Sequence, residues 1–374
     1  MRRFLSFALV LWTGLGGGGV EAKERHLTVA FTGDNGGEVA TCGCAHSPVG
    51  GLPRRKTLLE GLRRGEPTLV LDSGNALFAT ESTPDATATR RASLLLDVMG
   101  ELETAAMPAG ARDLSAGAAF LATEAARAHL PVLSVNLMRA GKRVFEASRM
   151  VTVGGLRVAL IGVSPRGAVH GSPELEGADA VPRVAALAKT LRAEAKADVV
   201  LVLAAAPFNE ALLLSQTLGV AVDFVLFSHD GRGTGIPLPA AGNTLLLSGD
   251  RGRAVAVLEL SVSGPGRFVD LGEKARRLAA YRQLQATVKE TGAREAALKV
   301  GPEREALGRT LVGFERRLTE QADALRALPE HPPRGFSVAY RMLGEDLPED
   351  EALVLRVHPL DPLLPSRYTP HPNP

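Results

Sequence analysis

The chain has 374 residues, 45% of them hydrophobic and 22% charged, with a formal net charge of +2. That length suits one large domain with an appendage or two medium domains, and the near-neutral balance argues against nucleic acid as the main partner. Aromatic residues make up only 4%, so the core has to rest on Leu, Val, Ala and Ile.

Residues 1–22 read as an export signal. Arg2 and Arg3 give a positive start, Phe4 to Leu15 form an apolar run, and Val20-Glu21-Ala22 supplies a small-residue cleavage pattern. The run is too short to span a bilayer, and no later stretch is long and apolar enough to do so. The mature chain is therefore expected in the periplasm or outside the cell, starting near Lys23. Export changes the reading of the only two cysteines, Cys42 and Cys44, because a disulfide persists in an oxidising compartment.

From about 27 to 262, short β-type runs alternate with amphipathic helical stretches, the pattern of a layered α/β domain. Strands are predicted at 27–32, 68–72, 132–135, 157–163, 198–203, 222–227, 244–247 and 254–262. Helices are predicted at 52–64, 93–102, 117–129, 181–196 and 208–218. Several strands run into small polar clusters: Thr32-Gly33-Asp34-Asn35, Asp72-Ser73-Gly74-Asn75 and Ser228-His229-Asp230-Gly231. The carboxyl ends of strands are where α/β sheets build sites, although such clusters also suit plain turns.

After Asp270 the pattern changes. Leu278, Tyr281, Leu284 and Val288 mark one helical face; beyond Gly301-Pro302, Leu307, Leu311, Phe314, Leu318, Leu325 and Leu328 mark another. Spacings of three and four predict an antiparallel helical hairpin, its Arg and Glu residues forming a solvated face. Beyond Pro329 the sequence suggests a Pro-rich linker, a strand pair at 336–342 and 352–357, and a Pro-rich tail. The expected organisation is a signal at 1–22, an α/β domain at 23–265, a hairpin at 266–329 and a C-terminal extension at 330–374.

The strand-end loops, in their order and near their spacing, resemble those of the 5'-nucleotidase branch of calcineurin-like metallophosphoesterases. The strand Leu27-Thr28-Val29-Ala30 leads to Asp34, and Gly50-Gly51-Leu52-Pro53-Arg54-Arg55 looks like the family's G-G-x-x-R segment. Leu71-Asp72-Ser73-Gly74-Asn75 resembles its L-D-x-G-D, Ser134-Val135-Asn136 its Asn-bearing strand, and Val222-Asp223 through His229 its V-D-x-x-x-x-G-H-x-H. The resemblance implies a layered α/β/β/α metallophosphoesterase-like sandwich, followed here by the hairpin and an irregular tail. It also implies two divalent metals, bridged by a carboxylate, that polarise a phosphate ester and activate water.

The sequence departs from that pattern repeatedly. The family's D-x-H becomes Asp34-Asn35-Gly36, its bridging Asp falls on Asn75, and its G-N-H-D/E loop falls on Gly110-Ala111-Arg112-Asp113. A further ligand His is missing near Ala204 to Ala206, and only His229 survives of the final G-H-x-H. Asp34, Asn75 and His229 remain as a partial shell, suited to one weakly bound divalent metal or to none. Arg112 introduces a cation that could hold an anion.

Thr41-Cys42-Gly43-Cys44-Ala45-His46 follows the first loop. In an extended segment Cys42, Cys44 and His46 point to one side, a donor set suited to Cu or Zn if a fourth ligand comes from elsewhere. Alternatively the thiols close a small, reducible disulfide, or form an inert structural pair. The segment is similar to that of exported 5'-nucleotidase-like proteins carrying C-G-C, or a selenocysteine version, before the G-G-L-x-R-R stretch, which favours redox chemistry. The expected function is therefore an exported, non-hydrolytic protein with a redox-active or metal-binding Cys-Gly-Cys loop and an exported redox or protein partner. An active metal-dependent phosphoesterase and a non-catalytic partner-binding module are the alternatives.

Overall fold

The computed structural model describes residues 24–41, 48–228, 235–249 and 251–361. The signal segment, Cys42, Cys44, His46, His229 and the Pro-rich tail lie outside the described residues.

Two mixed sheets face each other. Numbered along the chain, their strands are β1 Arg25–Thr32, β2 Thr68–Asp72, β3 Ser148–Val153, β4 Leu156–Val163, β5 Val199–Ala204 and β6 Phe224–Phe227. They continue with β7 Leu238–Pro239, β8 Thr244–Leu247, β9 Ala254–Val262, β10 Val269–Asp270 and β11 Arg334–Met342. The first sheet has the order β10-β11-β9-β1-β2 and the second β7-β8-β6-β5-β4-β3. Strands β4, β5, β6 and β8 are mutually parallel, and β1 runs parallel to β2 but antiparallel to β9.

Strand alternation sorts the apolar residues into layers. Leu27, Val29 and Phe31 of β1 point between the sheets with Leu69 and Leu71, against Leu160, Leu201, Leu203 and Phe224 of the second sheet. Ala30 and Val70 face the other way, into the cluster shared with helices α1 Leu52–Gly65, α2 Ala86–Glu101 and α3 Ala118–Arg127. On the far side, Ile161, Val200, Val202 and Val225 pack against α4 Val181–Ala193 and α5 Phe208–Leu218. Both faces of β5 are covered, which is why Val199–Ala204 reads as a continuous apolar run rather than an alternating one. The layered α/β/β/α sandwich follows.

The helical hairpin is present as α6 Glu273–Ala297 and α7 Pro302–Arg326, packed on each other, with no fully buried residue in either. The chain then returns to the sandwich, where β11 pairs antiparallel with β9 over nine positions from Arg334↔Val262 to Met342↔Ala254. The expected partner strand at 352–357 is instead a helix, α8 Glu351–Val357. Asp350 caps it by accepting a hydrogen bond from the Leu353 N–H at 2.8 Å, and Leu353 and Val357, four apart, bury one face against the α1 side of the core. The cap and that spacing override the β-type composition of Leu353 to Val357. No helix among the described residues is long and apolar enough to cross a membrane.

Candidate functional site

The loops after β1, β2 and β6 meet at one edge of the sandwich. Ser228, just past β6, donates its hydroxyl to the carbonyls of Ser73 at 2.5 Å and Gly74 at 2.8 Å, and its own carbonyl accepts from Asn75 Nδ2 at 2.9 Å. Asp34 N–H donates to Gly74 O at 2.9 Å, joining the loops after β1 and β2. Gly33 sits where Ser73, Ser228 and Ser248 converge, and a Cβ there would lie 2.2 Å from Ser73 Oγ. A side chain at Gly33 would force these loops apart.

Asp34 and Asn75 both adopt left-handed backbone, φ 52° and 56°, at the tips of their strands. Asp and Asn tolerate that region better than most residues, and such outliers cluster at functional loops. Asp34, 5% exposed, forms an ion pair with Arg112 Nη2. Arg112 also donates from Nη1 toward Ala79 O at 3.5 Å and from its backbone N–H to Asn75 Oδ1 at 3.3 Å. Thus Asp34, Asn75 and Arg112 are brought together, with the guanidinium on the surviving carboxylate and both polar atoms of the Asn75 side chain engaged.

Asp113, next to Arg112, is fully buried. Its Oδ1 accepts from Ala76 N–H at 2.7 Å and Leu77 N–H at 3.0 Å, and its Oδ2 accepts from Asn75 N–H at 2.7 Å and Gly110 N–H at 3.0 Å. Burial pushes its carboxyl up to about 6, although Leu77, Asn75 and Gly110 oppose the shift by donating to the charged form and the nearby Asp72 adds to it. Asp72 is itself raised by burial, against hydrogen bonds from Thr32 Oγ1 at 2.6 Å and Gly74 N–H at 2.7 Å. Two buried carboxylates thus hold the loops rather than pointing at a ligand.

Arg55, at the end of the Gly50–Arg55 segment, is 3% exposed and donates to Asn35 Oδ1. Burial lowers its guanidinium to about 10, against the attraction of Asp72, so it remains cationic near neutrality. Asn136 is structural: its Nδ2 donates to Ser164 O at 2.8 Å and Ala178 O at 3.0 Å, while its Oδ1 accepts from Ser164 N–H at 2.9 Å. Ala204, Ala205 and Ala206, at the end of β5 and just beyond it, form a fully buried apolar stretch.

A two-metal centre, which the resemblance implies here, needs several anionic or imidazole donors around a bridging carboxylate. Among the described residues no three His, Cys, Asp or Glu side chains group closely enough to hold a metal. The described donors therefore do not by themselves compose a two-metal shell. The roles of Asp113 and the serine cluster were not visible in the sequence; the only signal for Asp113 was its place at the end of the Gly110–Asp113 loop.

Thr41 and Gly50, which flank the Cys-Gly-Cys loop, form an isolated antiparallel bridge. A Cβ on Gly50 would lie 3.1 Å from Gly252 O, and the neighbouring Arg251 N–H donates to Asp34 O at 2.8 Å. The anchors of that loop and Asp34 therefore contact the same turn.

No protein-family model matches the chain, and no curated protein matches it in sequence. Solved structures do. The 5'-nucleotidase precursor of Thermus thermophilus is similar with a TM-score of 0.54 at 22% identity, covering 63% of this chain and 51% of that one. Haemophilus influenzae NAD nucleotidase, NadN, gives 0.53 at 17% identity over 66% of this chain and 49% of its own. The chain spans about half the length of these two nucleotidases. The sulfate thiohydrolase SoxB of Thermus thermophilus gives 0.59 at 15% identity, covering 92% of this chain and 62% of that one. At these identities the likeness is one of fold: this chain has the sandwich fold of the 5'-nucleotidases and calcineurin-like metallophosphoesterases.

Proposed function

We propose that this protein uses the metallophosphoesterase sandwich without hydrolysing esters, and that Cys42 and Cys44, in the loop anchored beside the old metal edge, are its reactive groups. The observation that carries the first half is the Arg112–Asp34 ion pair. A guanidinium on the one remaining carboxylate of the partial shell occupies the place and neutralises the charge that would hold a divalent cation there. Asn75 adds no charge, and its amide is held by Ser228 O and the Arg112 N–H. Phosphoryl transfer rests on concentrated charge around the transferring group, and losing even one such contributor commonly costs about a hundredfold to a thousandfold. His229 alone does not restore the set.

The second half rests on position. The Thr41–Gly50 bridge anchors the two sides of the loop, and Gly50 lies against the 251–252 turn that donates to Asp34 and approaches Arg55. Two cysteines one residue apart let one thiol resolve a mixed disulfide formed at the other. In this reading a dithiol on an exported partner protein reduces the Cys42–Cys44 disulfide: one partner thiolate attacks a sulfur, the second resolves the mixed disulfide, and two electrons pass to this chain. A soft metal such as Cu or Zn held by Cys42, Cys44 and His46 is the competing use of the same loop.

The test is turnover of nucleoside monophosphates and aryl phosphates by the purified mature protein with added manganese or zinc, run beside an Asp34→Ala, His229→Ala double variant. No turnover in either is expected. Metal-dependent turnover by the wild type that the double variant loses would overturn the non-hydrolytic reading. Alkylation of the same preparation with and without mild reductant reports the cysteines independently.

A further inference from the structure

We infer that the opposite end of the sandwich carries a binding site for a small, uncharged, ring-containing molecule with a hydroxyl group. Asp223 immediately precedes β6 and Ser228 immediately follows it, so a cavity at Asp223 lies at the other end of this strand from Asn75. The cavity holds about 580 Å3, between the starts of β6 and β8 on one side and the 267–270 segment with the first turns of α6 on the other. Small-molecule sites occupy roughly 300 to 1,000 Å3.

Its floor carries polar groups left partly unused. Asp223 is 8% exposed; its Oδ2 accepts from Arg192 and from the Val200 N–H at 2.8 Å. The Oδ1 atom makes no hydrogen bond to a described residue, its ion-pair partner Arg334 standing 3.7 Å away. Thr244, 7% exposed, is tied to Asp223 by its N–H, which donates to Asp223 O at 3.0 Å, yet its hydroxyl makes no hydrogen bond to a described residue. Two side chains more than nine-tenths buried thus bring an unused acceptor and an unused hydroxyl to one cavity. Neither atom is sealed from solvent, so water or a ligand hydroxyl in the cavity can reach both.

The charge balance selects the ligand. Asp223 is already countered by Arg192 and Arg334, and of the other charged residues lining the cavity Asp270 pairs with Arg276 and Glu273 with Arg277, so, Arg267 apart, these charges are met within the protein, and at the floor a cation would meet two guanidinium groups and an anion the carboxylate. A neutral donor that also accepts, a hydroxyl, satisfies both Asp223 Oδ1 and Thr244. The walls select the rest. Phe268 lines the cavity with Ile236, Pro237 and Pro239, and its ring is held by Arg334 at 4.2 Å from the centroid and by Phe224 at 5.0 Å. A fixed ring among prolines suits a flat apolar body.

The experiment uses the mature full-length protein with 4-butylphenol as probe and 4-butylanisole, its methyl ether, as the control without a donor. Titration by calorimetry is expected to show saturable phenol binding with Kd under about 1 mM and ether binding about tenfold weaker, the worth of one hydrogen bond. Thr244→Val should weaken both ligands, because each oxygen can accept from that hydroxyl, and leave the ratio between them unchanged. Ala280→Trp, on an exposed position of α6 at the mouth, should weaken phenol binding about tenfold or more while leaving the unfolding midpoint unchanged. Absence of saturable phenol binding, equal affinity for the ether, or wild-type affinity in Ala280→Trp would each overturn the assignment.

Discussion

Replacing Asp113 by Asn tests whether burial or hydrogen bonding governs the carboxylate that ties the site loops together. Each of its oxygens accepts two backbone N–H groups, at 2.7 and 3.0 Å in both cases. The isosteric amide turns an NH2 toward one of those pairs, losing two accepted bonds and leaving two buried donors unmet. At about 1–3 kcal/mol per unmet group, that is about 2–6 kcal/mol of lost stability. The carboxylate, however, has its own cost: burial moves it from 3.8 to about 6, equivalent to about 3 kcal/mol against the charged form at neutral pH. The amide escapes that cost, so the net loss at neutral pH is expected to be no more than about 3 kcal/mol. The pH dependence separates the two effects. A pKa raised in the folded state means that the native protein binds the proton more readily than the unfolded chain, so this contribution is fully present below the unfolded value and is lost as pH rises through about 6. The amide of the D113N variant cannot titrate, and the stability gap between wild type and D113N should widen by about 2 kcal/mol from about pH 7.5 to about pH 4.5. Urea unfolding of both proteins across that range measures it. A gap that narrows on acidification would mean that the four N–H donors hold the carboxylate ionised, and the argument from burial would fail.

Gly110→Ala would place a Cβ 2.5 Å from Asn75 Oδ1 and 2.8 Å from Asp113 Oδ2, so a loss of about 1–3 kcal/mol is expected in the same unfolding assay; an unchanged midpoint would show that the loops relax freely. Asp350→Ala removes the cap of α8 and the 2.8 Å contact with Lys56, and should cost about 1 kcal/mol, whereas Val312→Glu on the 67%-exposed face of α7 should change stability by less than about 0.5 kcal/mol. Alkylation of protein taken from its oxidising compartment should differ by two thiols before and after mild reductant; full labelling without reductant would remove the disulfide reading of Cys42 and Cys44. If the chain is exported and cleaved as its first 22 residues suggest, Trp12, the single tryptophan, is removed, so the purified protein is expected to lack tryptophan emission and its intact mass to begin near Lys23.

The layers were legible because alternation and apolar runs act locally. Val29 and Ala30 point to opposite faces for the same reason that their neighbours in the sequence alternate in size, and Val199–Ala204 announces a strand covered on both sides. The 351–357 segment misled because composition and context disagree: Leu353-Val354-Leu355 favours a strand, while an Asp350 cap and an apolar patch on α1 make a short amphipathic helix more favourable. At the site, neutral residues such as Asn75 and Gly36 standing where the family pattern has ligands were visible, and so was Arg112. What the cation does was not, because it depends on where the 110–113 loop folds back against the loop after β1. A guanidinium free in solvent would leave Asp34 available as a ligand; one held over a carboxylate that is 5% exposed turns the pair into a fixed, internally neutral element. Arg112 itself is anchored through its backbone N–H to Asn75 and through the neighbouring Asp113 to four main-chain donors. Releasing Asp34 for a metal would thus require moving the loop as well as a side chain. In the proposed non-hydrolytic reading, that coupling makes the loss of a metal site a property of the whole edge and not of a single substitution, so Asn75→Asp alone is expected to give no metal-dependent ester turnover.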